Sequence, residues 1–267
     1  MRARTPKLDD LEEMVRQAGE IVRAGYNPRP GFGPALEIGY KGEIDLVTEI
    51  DHRSEAFLLE AIRQRFPGHS AIAEESGDLA GNLDHRWFID PVDGTTNFAH
   101  SLPFFAVSLA YAEAGAVQLG VVYDPLRNEC FSAERGVGAW LNSEPVQVSG
   151  ERRLEHSLLV TGFPYDVHTN PKNNLNHFAR FSLLSQAVLR LGSASLDLCY
   201  VAAGRLDGYW ESRVFAWDIA AAGLIAAEAG ATVTNVLGEP DFLKPPESIL
   251  AANPEIHAQM LEVLNED

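Results

Sequence analysis

The chain has 267 residues, of which 46% are hydrophobic and 22% charged, enough for one large or two modest soluble domains with a proper core. Its formal net charge of -17 repels nucleic acid and anionic membranes at long range, so neither is an expected partner. No apolar run approaches ~20 residues, which argues against a transmembrane helix. The first residues, Met1 to Asp10, are charged and lack the apolar core of a signal peptide. Cys130 and Cys199 have neither a metal-binding spacing nor a disulfide framework, so a reducing cytoplasm is the expected compartment.

In chain order, Leu8 to Tyr26 is predicted as an amphipathic helix, because Leu8, Leu11, Val15, Ala18 and Val22 recur at helical spacing. Asn27 to Pro34 is rich in Pro and Gly, and loop character is expected to about Gly42. After a short apolar stretch at Ile44 to Val47, a second helix is predicted from about Thr48 to Phe66. Thr48 and Asp51 fit a capping box at its start, and Pro67-Gly68 ends it. Ala71 to Ala73 reads as a short strand leading into Glu74-Glu75-Ser76-Gly77. From Arg86 the pattern is strand-rich, with a hairpin expected at Phe104 to Ala112 and Ala116 to Tyr123. Further short strands are expected at Cys130 to Ala133 and Ala139 to Leu141.

The polar stretch Ser149 to Arg153 is taken as a boundary between a first domain, 1–150, and a second, 151–267. The second half alternates. Strands are expected at His156 to Gly162, Val188 to Leu191, Leu206 to Glu211, Ala231 to Asn235 and Ser248 to Ala251. Helices are expected at Asn173 to Gln186, Ser193 to Ala203, Trp217 to Ala229 and Pro254 to Leu264, with Gly204 and Gly230 as stop signals. Stacked layers of helix and sheet are the expected architecture, an α+β fold.

The chemistry-bearing stretch is Trp87-Phe88-Ile89-Asp90-Pro91-Val92-Asp93-Gly94-Thr95-Thr96-Asn97-Phe98. An apolar strand-like stub delivers two carboxylates, three residues apart, into a turn. Carboxylates suit hard cations, which prefer oxygen ligands. Gly94 lets the backbone approach a ligand closely. A helix starting at Thr95 or Thr96 would point free N–H groups at an anion. Cations beside an anion-binding helix start is a layout for hydrolysing a phosphate ester, a reaction that rests on positioning and charge neutralisation. Asp-Pro and Asp-Gly are also common turn formers, but a solvated turn accounts for neither the apolar approach, nor Glu74-Glu75 upstream, nor Trp217-Asp218 downstream.

The stretch resembles the Asp-Pro-(Ile/Leu/Val)-Asp-Gly-Thr signature of the inositol monophosphatase family of magnesium-dependent, lithium-sensitive phosphatases. Ala73-Glu74-Glu75-Ser76 resembles the family's Gly-Glu-Glu-Ser element, Leu46 to Asp51 its Leu-Val-Thr-x-x-Asp element, and Gly192-Ser193-Ala194-Ser195 its Gly-(Thr/Ser)-Ala-Ala helix start. Phe163 to Asp166, Asn173 to Leu175, Leu196 to Leu198 and Ala202 to Gly208 also look like family elements, so the resemblance runs from about Leu8 to the C-terminus. It implies a layered α-β-α-β-α sandwich, a homodimer, and two or three Mg2+ ions per active site.

Residue by residue, the resemblance makes Glu74 a metal ligand with a catalytic part and Asp90 a bridging ligand. Asp93 and Asp218 would bind a second ion, and the Val92 carbonyl would complete the first. Thr95 and Asp51 would polarise the attacking water. Thr is a poor base alone and needs a carboxylate to take its proton. Asp93, Gly94, Thr95, Gly192, Ser193, Ala194, Glu211 and Asp218 would face the substrate, a small phosphorylated polyol. Each also has an ordinary structural use. Asp218 and Ser193 suit helix caps, Asp51 suits a helix N-terminus, and Glu74 and Glu211 can be surface charges.

Some positions depart from the pattern. Ser195 replaces a common alanine, and Glu211-Ser212-Arg213-Val214 lacks the glycine that often follows this Glu. Arg213 can read a second anionic group or sit as a surface charge. Lys41 lies near the family's loop lysine, one residue short in its spacing to Asp45. The implied activity is hydrolysis of inositol 1-phosphate. Fructose-1,6-bisphosphatase, histidinol-phosphatase and nucleotide 3′-phosphatase types are the alternatives on the same fold. A regulatory binding protein is the alternative of a different class.

Overall fold

The computed structural model describes residues 4–28, 38–40, 46–171 and 173–266. Helix α1 (Leu8–Gly25) buries Leu11, Met14, Val15 and Val22 along one stripe, each contributing about 1.5–3 kcal/mol of hydrophobic stabilisation. It lies beside α2 (Glu49–Arg65). Between them, β1 (Ile38–Tyr40) pairs antiparallel with β2 (Leu46–Thr48), so a strand ends the stretch expected to be loop. The α2 start is the capping box read from the sequence: Thr48 Oγ1 accepts from Ile50 N at 3.2 Å, and Asp51 Oδ2 accepts from Thr48 N at 3.0 Å.

Eight strands follow in one sheet: β3 (His69–Ala73), β4 (Gly77–Leu79), β5 (Asn82–Asp93), β6 (Ala106–Glu113), β7 (Ala116–Asp124), β8 (Glu129–Glu134), β9 (Gly138–Leu141) and β10 (Glu144–Pro145), with the short helix α3 (Thr95–Ala99) after β5. Their spatial order is β10-β9-β8-β7-β6-β5-β3-β4. Only β3 and β5 run parallel. The predicted hairpin is β6 with β7, which pair from Val107↔Tyr123 to Glu113↔Ala116. Within this sheet, β4, β10 and the twelve-residue length of β5 went unpredicted. Strand β5 begins Asn-Leu-Asp-His, too polar and exposed at that end to carry a strand pattern, and the sheet supplies what the side chains do not.

A second, five-stranded sheet has the order β12-β11-β13-β15-β14. It comprises β11 (Leu158–Thr161), β12 (Ala187–Leu189), β13 (Gly208–Glu211), β14 (Thr232–Thr234) and β15 (Ile249–Ala252), with helices α4 (Leu175–Leu184), α5 (Ala194–Ala202), α6 (Ala216–Glu228) and α7 (Pro254–Asn265) between and after them. A 3-10 turn at Leu154–His156 precedes β11.

Three buried clusters define the layers. Helices α1 and α2 cover one face of the large sheet through Trp87, Ile89, Leu109 and Val121. Its opposite face, through Phe88, Ala110 and Phe131, meets α5 and α6, which in turn cover Val160, Tyr209 and Ala251 of the small sheet. The outer face of the small sheet packs Trp210 and Leu250 against Phe181 of α4 and Ile256 and Met260 of α7. The result is the expected α-β-α-β-α sandwich. The middle helix α6 is built mainly of small buried residues, Ala220, Ala221, Ala222 and Gly223, which lets it lie between two sheets. No described helix is long and apolar enough to cross a membrane.

Candidate active site

The pairing of β5 with β6 breaks between Asp90 and Asp93: Asp90 opposes Ser108 and Asp93 opposes Ala106. Pro91, which has no N–H to give to a ladder, sits in this irregularity. Asp90 turns back on the chain, its Oδ1 accepting from Val92 N at 3.0 Å. Gly94 then adopts φ 98°, and a Cβ there would stand 3.0 Å from Phe104 O and 3.2 Å from Gly192 O. A side chain at this position would strain both the turn and the contact between the two halves. Helix α3 begins at Thr95, as the sequence suggested.

Thr95 is 7% exposed, and its Oγ1 lies 2.7 Å from Asp51 Oδ1 and 2.9 Å from the Val92 carbonyl. Asp51 is fully buried and also accepts from Thr48 Oγ1 at 2.5 Å. Burial raises its carboxyl above the ordinary value, against the lowering effect of the bonds from Thr48 and Thr95. Asp51 therefore caps α2 and holds Thr95 at once. The neighbouring turn is fastened by Glu55 of α2, 2% exposed, which accepts from Glu75 N at 2.8 Å and Ser76 Oγ at 2.5 Å. Ser54 donates to the Pro91 carbonyl at 3.0 Å. Neither Ser54 nor Glu55 stood out in the sequence. Their helical spacing from Asp51 is the only signal that could have found them.

The second half reaches the same place through the start of α5. Ser193 Oγ donates to Asp93 Oδ2 at 2.6 Å, Ser195 N at 2.7 Å and Ser195 Oγ at 2.5 Å, while Ala194 N donates to Asp93 Oδ1 at 3.2 Å. The serine that replaces a common alanine thus adds a bond to Asp93. Ser193 also caps α5, accepting from Leu196 N at 3.4 Å. Asn97 Nδ2 donates to the carbonyls of Phe104 at 2.8 Å and Leu191 at 2.7 Å, tying α3 to the Gly192 turn. Asp218 caps α6 by accepting from Phe215 N at 3.0 Å. Glu211, 7% exposed at the end of β13, accepts from the Tyr209 hydroxyl. A Cβ at Gly162 would stand 2.2 Å from Glu211 Oε2, so a side chain there would push that carboxylate from its present place.

Glu74, Asp90, Val92, Asp93 and Asp218 line one cleft of about 370 Å3, and Gly94, Thr95, Gly192, Ser193, Ala194 and Glu211 complete its walls. That is the size of an ordinary small-molecule site. Asp51 stands behind Thr95. The charge problem is plain. Burial pushes the Asp90 carboxyl well above its usual range, and Glu74, Asp93 and Asp218 push it further. Burial, Asp93 and Glu74 do the same to Asp218. Among the described residues no Lys or Arg pairs with Asp90, Asp93 or Asp218. Such a set takes up protons or cations. Among the described residues no three His, Cys, Asp or Glu side chains stand close enough together to hold a metal ion as they are placed. An open wall of oxygen donors fits Mg2+, which keeps several waters and shares substrate oxygens.

Two arginines flank the cleft. Arg213 Nη1 donates to Asp166 Oδ2 at 2.5 Å, so its charge is already matched. Arg190, unremarked in the sequence, stands with its guanidinium 5.7 Å from the centre of the Phe163 ring. Lys41 and Asp45 lie outside the described residues.

The profile of the inositol monophosphatase family matches residues 7–267. The chain is 44% identical to the Inositol-1-monophosphatase of Synechocystis sp., over 96% of this chain and 90% of that one. It is also 44% identical to the Nus factor SuhB of Pasteurella multocida, over 96% and 94%. Among solved structures, the inositol monophosphatase from Anabaena (Nostoc) superposes with a TM-score of 0.84 at 40% identity, covering 96% of this chain and 94% of that one. With the sandwich and the matched length of sequence in agreement, this chain belongs to the inositol monophosphatase family.

Proposed function

We propose that the chain is a Mg2+-dependent phosphate monoester hydrolase acting on inositol 1-phosphate, releasing inositol and phosphate. The observation that carries this reading is the Thr95–Asp51 pair at 2.7 Å, set in the wall of a cleft lined by Glu74, Asp90, Asp93 and Asp218. Bound at those carboxylates, two or three Mg2+ ions supply charge neutralisation and water activation. The chain's own part is positional. Asp51 Oδ1 takes the Thr95 proton, leaving an Oγ1 lone pair for the attacking water. The water's proton passes to Thr95 as that of Thr95 passes to Asp51, and burial makes Asp51 a better acceptor than an exposed carboxylate. The phosphorus gains the water oxygen, the ester P–O bond breaks, and the leaving oxygen takes up a proton from bulk water, matched by the one that Asp51 accepts and then releases. Glu211 and the Gly192–Ala194 turn, which abuts Asp93 and Gly94, hold substrate hydroxyls.

The test is phosphate release with Mg2+ across inositol 1-phosphate, fructose 1,6-bisphosphate, histidinol phosphate and adenosine 3′,5′-bisphosphate. The reading expects inositol 1-phosphate to have the largest kcat/KM. Preference for another ester overturns the substrate, and no release from any overturns the reaction class.

A second reading rests on the name Nus factor SuhB carried by relatives at 44% and 39% identity. It gives the chain a part in an assembly in addition to hydrolysis. The charge of -17 favours a protein partner over RNA. Retention of RNA by the purified chain at physiological salt would reverse that preference.

A further inference from the structure

Asp93 ends β5 in the first half of the chain, yet its carboxylate is held by the start of α5 in the second half. Three donors converge on Oδ2: Ser193 Oγ at 2.6 Å, Ser195 N at 2.7 Å and Ser195 Oγ at 2.5 Å. Oδ1 takes Ala194 N at 3.2 Å. A carboxylate oxygen offers about two lone pairs. Ser193 Oγ and Ser195 N therefore already satisfy Oδ2, and the Ser195 hydroxyl is a third donor. Ser195 is 0% exposed, so its hydroxyl reaches neither a substrate nor a cation in the cleft. Its route to the cleft is Asp93, which is 8% exposed and lines the wall.

We propose that Ser195 is a positioning residue that weakens the hold of Asp93 on a cation, an inference that rests on Asp93 as a Mg2+ ligand and not on the identity of the ester. Donors on a carboxylate draw its charge toward themselves, and a cation on the same carboxylate competes for that charge. The hydrogen bond and the cation weaken each other by the same free energy, because linkage is reciprocal. The crowding of Oδ2 also leaves Oδ1 as the oxygen with capacity to spare for a cation. The cleft then fills with Mg2+ at a higher concentration than the same carboxylates would need without the Ser195 hydroxyl.

Ser195→Ala separates this role from a structural one. Oδ2 keeps two donors in that variant and Ser193 still caps α5, so its melting temperature in chelator should match the wild type. If Ser195→Ala fails to fold, Ser195→Cys, whose thiol is a weak donor, carries the same test. Calorimetric titration with Mg2+ alone supplies a readout that needs no turnover, and the relevant site is the one whose heat is lost in Asp93→Asn. There Ser195→Ala should bind Mg2+ roughly 3- to 10-fold more tightly, the scale of part of one charge-assisted hydrogen bond. Ser195→Thr, which keeps the hydroxyl, should bind as the wild type does. In phosphate release, the Mg2+ concentration for half-maximal rate should fall by the same factor in Ser195→Ala. Tighter Mg2+ binding by Ser195→Ala supports the assignment even if phosphate release fails and the ester reading falls. Unchanged binding overturns it. So does weaker binding, which would make the hydroxyl a support that orients Asp93 toward the cation. Unchanged heat in Asp93→Asn overturns it together with the cation reading of Asp93.

Discussion

The two walls of the cleft are built on opposite principles. On the first wall the turn's side chains are held from within: Asp90 by Val92 N, Thr95 by Asp51 and the Val92 carbonyl, and Asp51 by Thr48. On the second wall, among the described residues, Glu211 accepts from the Tyr209 hydroxyl, Asp197 Oδ1 has no partner, and the Arg190 guanidinium rests on an aromatic ring. Bond breaking needs groups fixed before the substrate arrives, since preorganised dipoles cost nothing to reorient during reaction. Recognition needs spare hydrogen-bonding capacity, because a donor or acceptor already satisfied gains little from a ligand. On the proposed function, the contrast puts chemistry on the first wall and selection on the second.

The largest expected effect comes from the first wall. Asp90→Asn should bring turnover of every ester below detection, since a neutral amide cannot balance cation charge. Retained turnover on any ester would detach Asp90 from the chemistry. Next come Thr95→Ala and Asp51→Asn, each expected to lower kcat about 10²–10⁴-fold. The double variant should cost little more than the worse single, because residues acting as one unit are non-additive. Losses that multiply would split the pair.

Second-wall changes should be smaller and selective. Glu211→Gln should cost inositol 1-phosphate about 1–3 kcal/mol in kcat/KM and leave phenyl phosphate almost untouched. Uniform damage would move Glu211 to the first wall. Glu211 also gives a pH signature. Burial, reinforced by Asp93 and opposed by the Tyr209 bond, pushes its carboxyl up from 4.5 to about 7. Between those values the folded protein holds a proton that the unfolded chain has released. This contribution to stability is full below 4.5 and lost as pH rises through about 7. In chelator, the melting temperature should fall between pH 5 and 8, and Glu211→Gln should flatten the fall. An unchanged slope in the variant would remove Glu211 as its source. The smallest effect is expected from Arg213→Ala, because Asp166 already matches that charge. A selective loss of a bisphosphate substrate would show that the pair opens to read a second anion.

Much of this was legible in the sequence. Helices α1, α2 and α7 and the β6–β7 hairpin follow from periodicity and punctuation, because their apolar faces and stop residues lie within the element itself. Asp90, Asp93 and Gly94 were legible because one local turn needs all three. What was hidden depends on contacts distant in sequence. Glu55 shows no motif, yet it anchors the Glu75–Ser76 turn across 20 residues. Gly162 reads as the end of a strand, yet it makes room for Glu211. Asp51, Ser193 and Asp218 each have an ordinary structural reading beside the chemical one. Each caps a helix and also faces or supports the cleft, so the cap supplies the rigidity that the site needs.

The most direct test of the account is phosphate release from inositol 1-phosphate by the wild-type chain and Asp90→Asn, first in excess chelator and then after Mg2+ is restored. The account predicts no release in chelator, recovery with Mg2+ in the wild type, and none at either stage in Asp90→Asn. Release by the wild type in chelator, or recovery by Asp90→Asn, would contradict it.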